Sequence, residues 1–237
     1  MNHLIQIVSI EGNIGSGKST LLSYMKTHFK NNPQFIFLDE PVDEWNCIKD
    51  VDGVTILKKF YNDQKKYSFS FQMLTYISRL KLLKDALKEI NERINTNKNY
   101  NSAIKYFIIT ERSLFTDKMV FAKMLYDSDK IESINYQIYL NWFNTFADEF
   151  KLNKIIYVKT NPEICYKRVE KRQRDGEDKI PLEYLNNCDI YHNNMLDKSS
   201  PDCVCDNQLI LNGNVDIYEN EHILNEWISS IENYIYN

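Results

Sequence analysis

Three of the six glycines in this 237-residue chain fall within residues 12–17, in the stretch GNIGSGKST. Glycine lets the backbone curl so that successive N–H groups point inward, where they can hold phosphate oxygens. With Lys18 and Ser19, the stretch has the pattern G-x-x-x-x-G-K-S, in which the lysine reaches the β- and γ-phosphates and the serine hydroxyl binds Mg²⁺. It predicts a site for ATP or another nucleoside triphosphate, and we expect Lys18 to be solvated until a phosphate binds. The residues of this phosphate loop are Gly12, Asn13, Ile14, Gly15, Ser16, Gly17, Lys18, Ser19 and Thr20.

A carboxylate, Glu40, stands at the end of the next apolar run, and Pro41 follows it. An alcohol must lose its proton when it attacks a phosphate, whereas a phosphate acceptor is already an anion and needs no base. A glutamate that faces the phosphate loop therefore indicates an alcohol acceptor. The alternative is a solvated acidic loop without a chemical role.

The third apolar run ends in Glu111 and Arg112, within the stretch TERSLFTD. Together with Ser19, Glu111 could hold Mg²⁺, partly through water, and Arg112 could stabilise the charge on a transferring phosphoryl group. A buried ion pair at the end of a strand would give the same sequence pattern.

Two helical segments carry further polar candidates. In residues 68–80, one helical face holds Phe71, Gln72, Thr75 and Arg79. The amide of Gln72 could pair with the edge of a nucleobase, although a phenylalanine-rich face is also typical of a core helix. The segment 168–178 carries Arg168, Arg172 and Arg174. Arginine binds phosphate with two parallel hydrogen bonds, so these residues could form a lid over the phosphates, or simply a solvated face.

The elements that must position these residues are five short apolar runs, at 4–10, 34–39, 105–110, 154–159 and 208–212. Their length and their β-branched and aromatic content predict buried strands. Helical spacing predicts helices at 65–90, 131–150, 162–174 and 217–235, whereas the polar stretch 91–102 is predicted to be a loop. The alternation predicts an α/β fold, with a five-stranded parallel sheet and helices on both faces, as one domain over residues 1–237. Ligands of such sheets bind at the carboxyl ends of the strands, where the polar residues would meet.

Composition and charge exclude several classes of protein. A net charge of −4 disfavours a general nucleic-acid binder, which usually carries a basic face. No apolar run approaches the roughly 18 residues of a membrane span, and the first run leads directly into the phosphate loop, so we expect neither a membrane segment nor a signal peptide. The five cysteines lack the spacing of a zinc site or a disulfide framework. They indicate a reducing compartment, and we expect a cytoplasmic protein.

In their order and spacing, these stretches resemble one family closely, the deoxyribonucleoside kinases that act on deoxycytidine, deoxyguanosine and deoxyadenosine. The resemblance covers nearly the whole chain and rests on GNIGSGKST, EPVDEW, SFSFQ with Arg79 seven residues on, ERSLFTD, KRQRDGED followed by IPLEYL, and a last strand followed by a helix. It implies a P-loop kinase fold with an arginine-rich lid at about residues 168–180. The implied reaction is transfer of the γ-phosphate of ATP, or of another nucleoside triphosphate, to the 5′-hydroxyl of a deoxyribonucleoside in the presence of Mg²⁺.

The resemblance also implies a role for each matching residue. Glu40 would be the base that activates the 5′-hydroxyl, Arg112 would hold that hydroxyl and the developing charge, and Lys18 would act on the donor phosphates. Gln72 would pair with the nucleobase. The residues that would pack the base are Trp45, Phe71 and Phe121, and those that would bind the 3′-hydroxyl are Tyr61 and Glu177. The donor would be held by Arg168, Arg172, Arg174 and the loop 212–216, in which Asp216 borders the donor base.

Arg79 and Asp117 bear on the choice of base. Relatives that accept purines and cytosine resemble this chain in carrying an arginine and an aspartate at these places, so the resemblance implies deoxyadenosine, deoxyguanosine or deoxycytidine rather than thymidine. Both residues are charged and would lie beside an apolar base pocket, so we expect them to form an ion pair. Gly176 departs from the family pattern, since many relatives have a second lid acid there, and Gly15 replaces a common alanine.

Relatives of this kind form homodimers through long helices like those predicted at 65–90 and 131–150, so we expect a homodimer. Two alternatives remain open from the residues alone. A nucleoside monophosphate kinase of the thymidylate type would use Arg79 or Arg112 to bind an acceptor phosphate. A P-loop ATPase that does conformational work on a partner would hydrolyse ATP without phosphorylating a nucleoside.

Overall fold

The computed structural model describes residues 4–96, 104–172, 174, 176–177, 180–217 and 220–237. Its centre is a sheet of five parallel strands, with β1 between β3 and β4 and the order β2-β3-β1-β4-β5. The strands are β1 (Ile5–Glu11), β2 (Phe35–Leu38), β3 (Tyr106–Glu111), β4 (Lys154–Lys159) and β5 (Gln208–Asn212). All five predicted strands are confirmed, to within one residue at each end.

The helices are α1 (Lys18–His28), α2 (Val42–Cys47), α3 (Ile56–Asn62), α4 (Gln64–Thr96), α5 (Leu114–Thr116), α6 (Lys123–Asp127), α7 (Ser133–Phe146), α8 (Pro162–Arg172), α9 (Leu182–Leu196) and α10 (Glu221–Tyr236). A π-helical turn, Asp117–Ala122, joins α5 to α6, and a 3₁₀ turn, Asp148–Phe150, follows α7.

The predicted loop at 91–102 is wrong in its first part, because α4 continues to Thr96. Ile90 is fully buried and Ile94 packs beside it against the core, so the apolar face of the helix extends past the polar residues. Arg93 pairs with Glu89 one turn earlier, which adds to the helix on its exposed side. Residues 97–103 lie outside the described part.

Apolar side chains on both faces of the sheet explain the two layers of helices, because successive residues of a strand point to opposite faces. On one face, Val8 packs with Leu21 of α1 and Ile231 of α10. On the other, Ile7 packs with Tyr76 of α4. The predicted α/β fold with helices on both faces is confirmed, and the carboxyl ends of all five strands lie at one edge.

Within the described ranges, no helix combines the length and apolar character that a membrane crossing needs. All five cysteines are free thiols. Among the residues that the structure describes, no three of the histidine, cysteine and acidic side chains come together in a way that could hold a metal ion.

Candidate active site

A cavity of about 440 Å³ opens at the carboxyl edge of the sheet. It is lined by the predicted site residues, except Gly12, Asn13, Arg79 and Glu177. The phosphate loop is at one end, and an aromatic compartment made by α2, α3 and α4 is at the other. The crossovers of the parallel sheet therefore bring residues from distant parts of the chain to one place.

The phosphate loop turns tightly between β1 and α1, and its glycines allow close approach of other backbone. Gly12 has a φ of 145°, and a Cβ there would lie 2.7 Å from the carbonyl oxygen of Val158. Gly15, with a φ of 79°, would bring a Cβ to 2.6 Å from the carbonyl of Cys165. The hydroxyl of Ser16 is buried and makes no hydrogen bond with the described residues, so it is available to a phosphate oxygen.

Lys18 is the first residue of α1, and it is only 4% exposed. Its Nζ donates to the carbonyl oxygen of Asn13 at 2.7 Å. Burial, with the charge of Arg112, lowers the pKa of Lys18 to about 8. The expectation of a solvated lysine is therefore wrong, because the loop wraps around the side chain before any phosphate binds.

Ser19 and Glu111 meet across the mouth of the phosphate loop. The Ser19 hydroxyl donates to Oε1 of Glu111 at 2.8 Å, which brings an alcohol and a carboxylate oxygen together beside the loop. Mg²⁺ prefers oxygen ligands and usually binds through one or two protein groups plus substrate phosphates. The two side chains fit a magnesium site of that kind.

Glu40 lies between two arginines. Its Oε1 is 3.2 Å from Nε of Arg112 and 3.4 Å from NH2 of Arg79, while Oε2 receives no hydrogen bond from any described residue. Burial acts to raise the pKa of Glu40, but the charges of Arg112, Arg79 and Lys18 outweigh it and hold the pKa below its usual value. Glu40 is therefore ionised at neutral pH and has one oxygen available to a ligand.

Arg112 is held by its backbone as well as by its side chain. Its φ of 64° is in the left-handed region, which is uncommon for a residue with a side chain. Ser113 and Thr116 form a capping box directly after it, and the Thr116 hydroxyl donates to the buried carboxylate of Glu11 at 2.6 Å. These contacts fix the turn that carries Arg112 to the cavity.

Glu11 and Thr116 were not among the predicted site residues. The only feature of the sequence that pointed to them was the position of Glu11, a carboxylate at the end of the first apolar run.

The aromatic compartment is built from Trp45, Phe60 and Phe71. The Phe60 and Phe71 rings stack at 4.7 Å, and Trp45 meets Phe71 edge to face at 5.5 Å. The amide oxygen of Gln72 is buried in this wall and has no hydrogen-bond partner among the described residues. A flat apolar slot with one unpaired amide suits a nucleobase.

Arg79 and Asp117 form the predicted ion pair, with Nε 3.0 Å from Oδ2. Asp117 lines the cavity, but Arg79 lies behind it and its NH1 donates to the carbonyl of Glu111 at 2.5 Å. Burial raises the pKa of Asp117 to about 6, and the charge of Arg79 opposes that rise.

The lid arginines have protein partners in this structure. Arg168 donates to the carbonyl oxygens of Gly213 and Val215, both at 2.9 Å, and so ties α8 to the loop 212–216. Arg172 and Arg174 both pair with Glu177. Gln173, Asp175, Asp178 and Lys179 of the predicted lid lie outside the described residues.

Gly176 packs against α3 rather than leaving a gap in the lid. A Cβ at this glycine would lie 3.2 Å from Cα of Lys58, and its φ is 89°. Its backbone conformation and close packing therefore explain why a second acid does not stand there.

Several residues that line the cavity were not predicted from the sequence: Leu57, Phe60, Lys171, Tyr184, Ile217 and Trp227. Ile217 and Trp227 make an apolar wall beside the loop 212–216, at the end of the cavity next to the phosphate loop. Trp227 is in the middle of an ordinary amphipathic helix, so nothing in its local pattern distinguished it from a core residue.

Comparison with known proteins agrees with this geometry. Residues 8–236 match the family described as deoxynucleoside kinase. A Fowlpox virus protein named "Probable deoxycytidine kinase" is 33% identical over 231 residues, which cover 96% of this chain and 87% of that protein. Deoxycytidine kinase 2 of Gallus gallus is 31% identical over 205 residues, covering 80% and 73% of the two chains. The mitochondrial deoxyguanosine kinase of Xenopus laevis is 28% identical over 235 residues, covering 91% and 84%.

Proposed function

This chain belongs to the deoxynucleoside kinase family and phosphorylates deoxyribonucleosides, and we propose how its residues do so and which bases it accepts. The γ-phosphate of ATP, or of another nucleoside triphosphate, passes to the 5′-hydroxyl of a deoxynucleoside that carries adenine, guanine or cytosine. One observation carries the proposal: Glu40 and Arg112 face the phosphate loop from the same cavity that holds the aromatic compartment.

The acceptor binds with its base between the aromatic side chains and its edge on the amide of Gln72. Trp45, Phe71 and Phe121 supply the apolar contacts. Tyr61 binds the 3′-hydroxyl from the cavity wall, and Glu177 binds the same hydroxyl when the lid closes. Glu177 is already close to Tyr61, because its charge adds to the rise in the pKa of Tyr61 that burial causes. This arrangement leaves the 5′-hydroxyl directed toward Glu40.

Transfer begins when the 5′-hydroxyl donates to Oε2 of Glu40. As the bond from O5′ to the γ-phosphorus forms, the bond from that phosphorus to the β–γ bridging oxygen breaks, and the 5′-proton passes to Glu40. Arg112 and Lys18 stabilise the negative charge on the transferring group and on the leaving diphosphate. The products are a deoxynucleoside monophosphate and a nucleoside diphosphate.

Mg²⁺ would be held by Ser19 and by Glu111, in part through water, and would neutralise charge on the donor phosphates. The donor base would lie between Arg168 and the loop 212–216 with Asp216, against the wall made by Ile217 and Trp227. As the lid closes, Arg172 and Arg174 would give up their ion pairs with Glu177 and bind the donor phosphates instead. The charges of these arginines suit three linked phosphates.

The pairing of Glu40 with both arginines also argues against a monophosphate as acceptor. Such an acceptor would need Arg79 or Arg112 to bind its phosphate, but both lie against Oε1 of Glu40, whose negative charge would repel that phosphate. An ATPase that only does conformational work would have no use for an aromatic slot with an unpaired amide. The alcohol acceptor is therefore the better supported.

A second copy of this chain would cover an exposed apolar stripe on α7. Ile134, Ile138 and Trp142 are 70%, 41% and 45% exposed and lie one turn apart, and Ile77 of the neighbouring α4 is 48% exposed. We propose that this surface is the homodimer interface, in line with the family resemblance. The chain would act as one domain, since the elements that carry the site surround one sheet. It would act in the cytoplasm, where its five free thiols would stay reduced.

A panel of deoxynucleosides with ATP and Mg²⁺, with the products separated by chromatography, tests the proposal. Deoxyadenosine, deoxyguanosine or deoxycytidine should be converted to 5′-monophosphates, and thymidine should be converted more slowly. Phosphorylation of monophosphates instead, or ATP hydrolysis without a phosphorylated nucleoside, would overturn it.

A further inference from the structure

His192 is a fully buried histidine of α9 that has no part in the steps described above. Its Nδ1 is 2.7 Å from the carbonyl oxygen of Cys188, one helical turn earlier, and its Nε2 is 3.4 Å from NH1 of Arg112. A carbonyl oxygen can only accept a hydrogen bond, so the proton of the neutral ring is on Nδ1. Nε2 therefore presents its lone pair to Arg112.

The contacts of Arg112 use its guanidinium nitrogens unequally. NH1 donates to the carbonyl of Gly12 at 2.8 Å and to His192, so both of its hydrogens are engaged. Nε lies beside Glu40, and the guanidinium carbon lies 4.9 Å from the ring centre of Phe121. NH2 donates no hydrogen bond to any residue in the described ranges. As far as the described residues go, it is the one nitrogen of the group left for a ligand.

The surroundings of His192 keep it an acceptor. Burial lowers its pKa to about 3, and the charges of Arg112 and Lys18 act in the same direction. A protonated imidazole would have no lone pair and would repel the guanidinium. Phe121 meets His192 edge to face at 6.4 Å, so one aromatic ring packs against both members of the pair.

We propose that His192 is a positioning residue for phosphoryl transfer: with the Gly12 carbonyl it fixes NH1 of Arg112, so that NH2 points at the acceptor oxygen and the γ-phosphate. The inference rests on the role proposed above for Arg112. It joins α9, which binds no substrate in the proposed reaction, to the reacting centre. Because preorganised donors act mainly on the transition state, losing the acceptor should lower kcat more than it weakens substrate binding.

Steady-state kinetics of His192→Leu and His192→Gln with ATP and the preferred deoxynucleoside test this role. Leucine fills space without an acceptor, and kcat should fall roughly tenfold or more, as expected when a hydrogen bond to a charged group is lost. KM for ATP and the calorimetric Kd for the nucleoside should change little. Glutamine can place an oxygen near the position of Nε2, and it should recover most of kcat. Equal losses in both variants, or a rise in KM with kcat unchanged, would refute the positioning role.

Met195→Ala is the matched control, because Met195 is buried on the same helix, in a cluster with Val120 and Ile155, but does not share a hydrogen bond with Arg112. It should lower the melting temperature without lowering kcat, which separates a loss of stability from a loss of positioning. A fall in kcat in this control equal to that of His192→Leu would count against a specific role.

Two further measurements separate this inference from the proposed function. If Arg112→Leu keeps near-normal kcat, the role of Arg112 is wrong and the inference falls with it. If Arg112→Leu loses activity but His192→Leu does not, only the positioning role is wrong.

Proton–nitrogen NMR of the His192 ring gives a readout that does not depend on catalysis: we expect the Nδ1–H tautomer and no titration between pH 5 and 8. The opposite tautomer, or titration in that range, would contradict the inference.

Discussion

Arg79 and Asp117 form a buried ion pair that links the base end of the cavity to its catalytic end. Nε of Arg79 lies 3.0 Å from Oδ2 of Asp117, while NH2 of the same guanidinium lies 3.4 Å from Oε1 of Glu40. Asp117 lines the cavity and Arg79 does not. Arg79, which is expected to act on the choice of nucleobase, therefore also contacts Glu40, the proposed general base.

Removing Arg79 and removing Asp117 should lower the free energy of unfolding by different amounts. Arg79→Met should lower the free energy of unfolding by roughly 3–5 kcal/mol, as when a buried pair loses one partner, because Asp117 is then left alone. Asp117→Ala should cost less, since Arg79 keeps Glu40 and the Glu111 carbonyl. The double variant should cost less than the sum of the two single variants in urea denaturation. Additive losses would show that the two side chains do not interact.

The same double variant, Arg79→Met with Asp117→Ala, should change base choice. Removing both groups opens room beside C5 of a pyrimidine and takes away the carboxylate that Asp117 offers to a purine from the cavity wall. We expect the ratio of kcat/KM for thymidine to that for deoxyadenosine to rise, although kcat should fall because Glu40 loses one arginine. An unchanged ratio, or a wild type that already prefers thymidine, would remove these residues from base selection.

Glu40→Gln should bind the nucleoside but transfer phosphate poorly. The amide keeps the shape of the side chain but cannot accept the 5′-proton, so kcat should fall by about 10²–10⁴-fold, the usual contribution of a general base. Titration calorimetry with the nucleoside should give a Kd close to that of the wild type. Turnover near the wild-type rate would exclude Glu40 as the base.

Lys18→Ala should abolish transfer without weakening the fold. Loss of a donor that stabilises transition-state charge costs roughly 10²-fold or more in rate. Burial holds the pKa of Lys18 in the folded protein below the pKa it has in the unfolded chain, so the protonated lysine opposes folding at neutral pH. This cost in stability is lost progressively as the pH rises from about 8, the folded pKa, to the pKa of the unfolded chain. The melting temperature at pH 7 should therefore match or exceed that of the wild type. Preserved activity would refute the phosphate site.

The same pKa predicts a pH effect on donor binding in the wild-type enzyme. Above pH 8 the free enzyme progressively loses the charge on Lys18, so kcat/KM for ATP should fall there. Bound phosphates favour the protonated lysine, so kcat at saturating ATP should persist to higher pH. If both profiles fall together, another group controls the alkaline limb.

Ile138→Lys should disrupt the proposed homodimer by placing a charge in the α7 stripe. Light scattering at micromolar concentration should give twice the chain mass for the wild type and the chain mass for the variant. Ile190→Lys on α9 is the matched control, because Ile190 is 53% exposed but belongs to neither α7 nor α4, and it should remain dimeric. A wild type of single-chain mass would refute the dimer.

Local patterns were enough to predict much of this protein. The phosphate loop is a single short segment whose glycines must adopt positive φ, and each strand is one continuous apolar run, so neighbouring residues carry the information. The parallel order then implied that Glu40, Glu111 and Arg112 would meet at one edge. The end of α4 was mispredicted because tertiary packing of Ile90 and Ile94 outweighed the local polarity.

Which partners these residues take was decided only by the tertiary structure. His192 reaches Arg112 across 80 residues of sequence, and Arg168 meets the Gly213 carbonyl across 45. Lys18 is enclosed by its own loop, a state that the motif does not specify. No local period encodes such pairs, because they depend on how the helices pack on the sheet. The sequence therefore determined the kinds of groups at the site, and the packing determined which hydrogen bonds hold them and which atoms stay free for substrate.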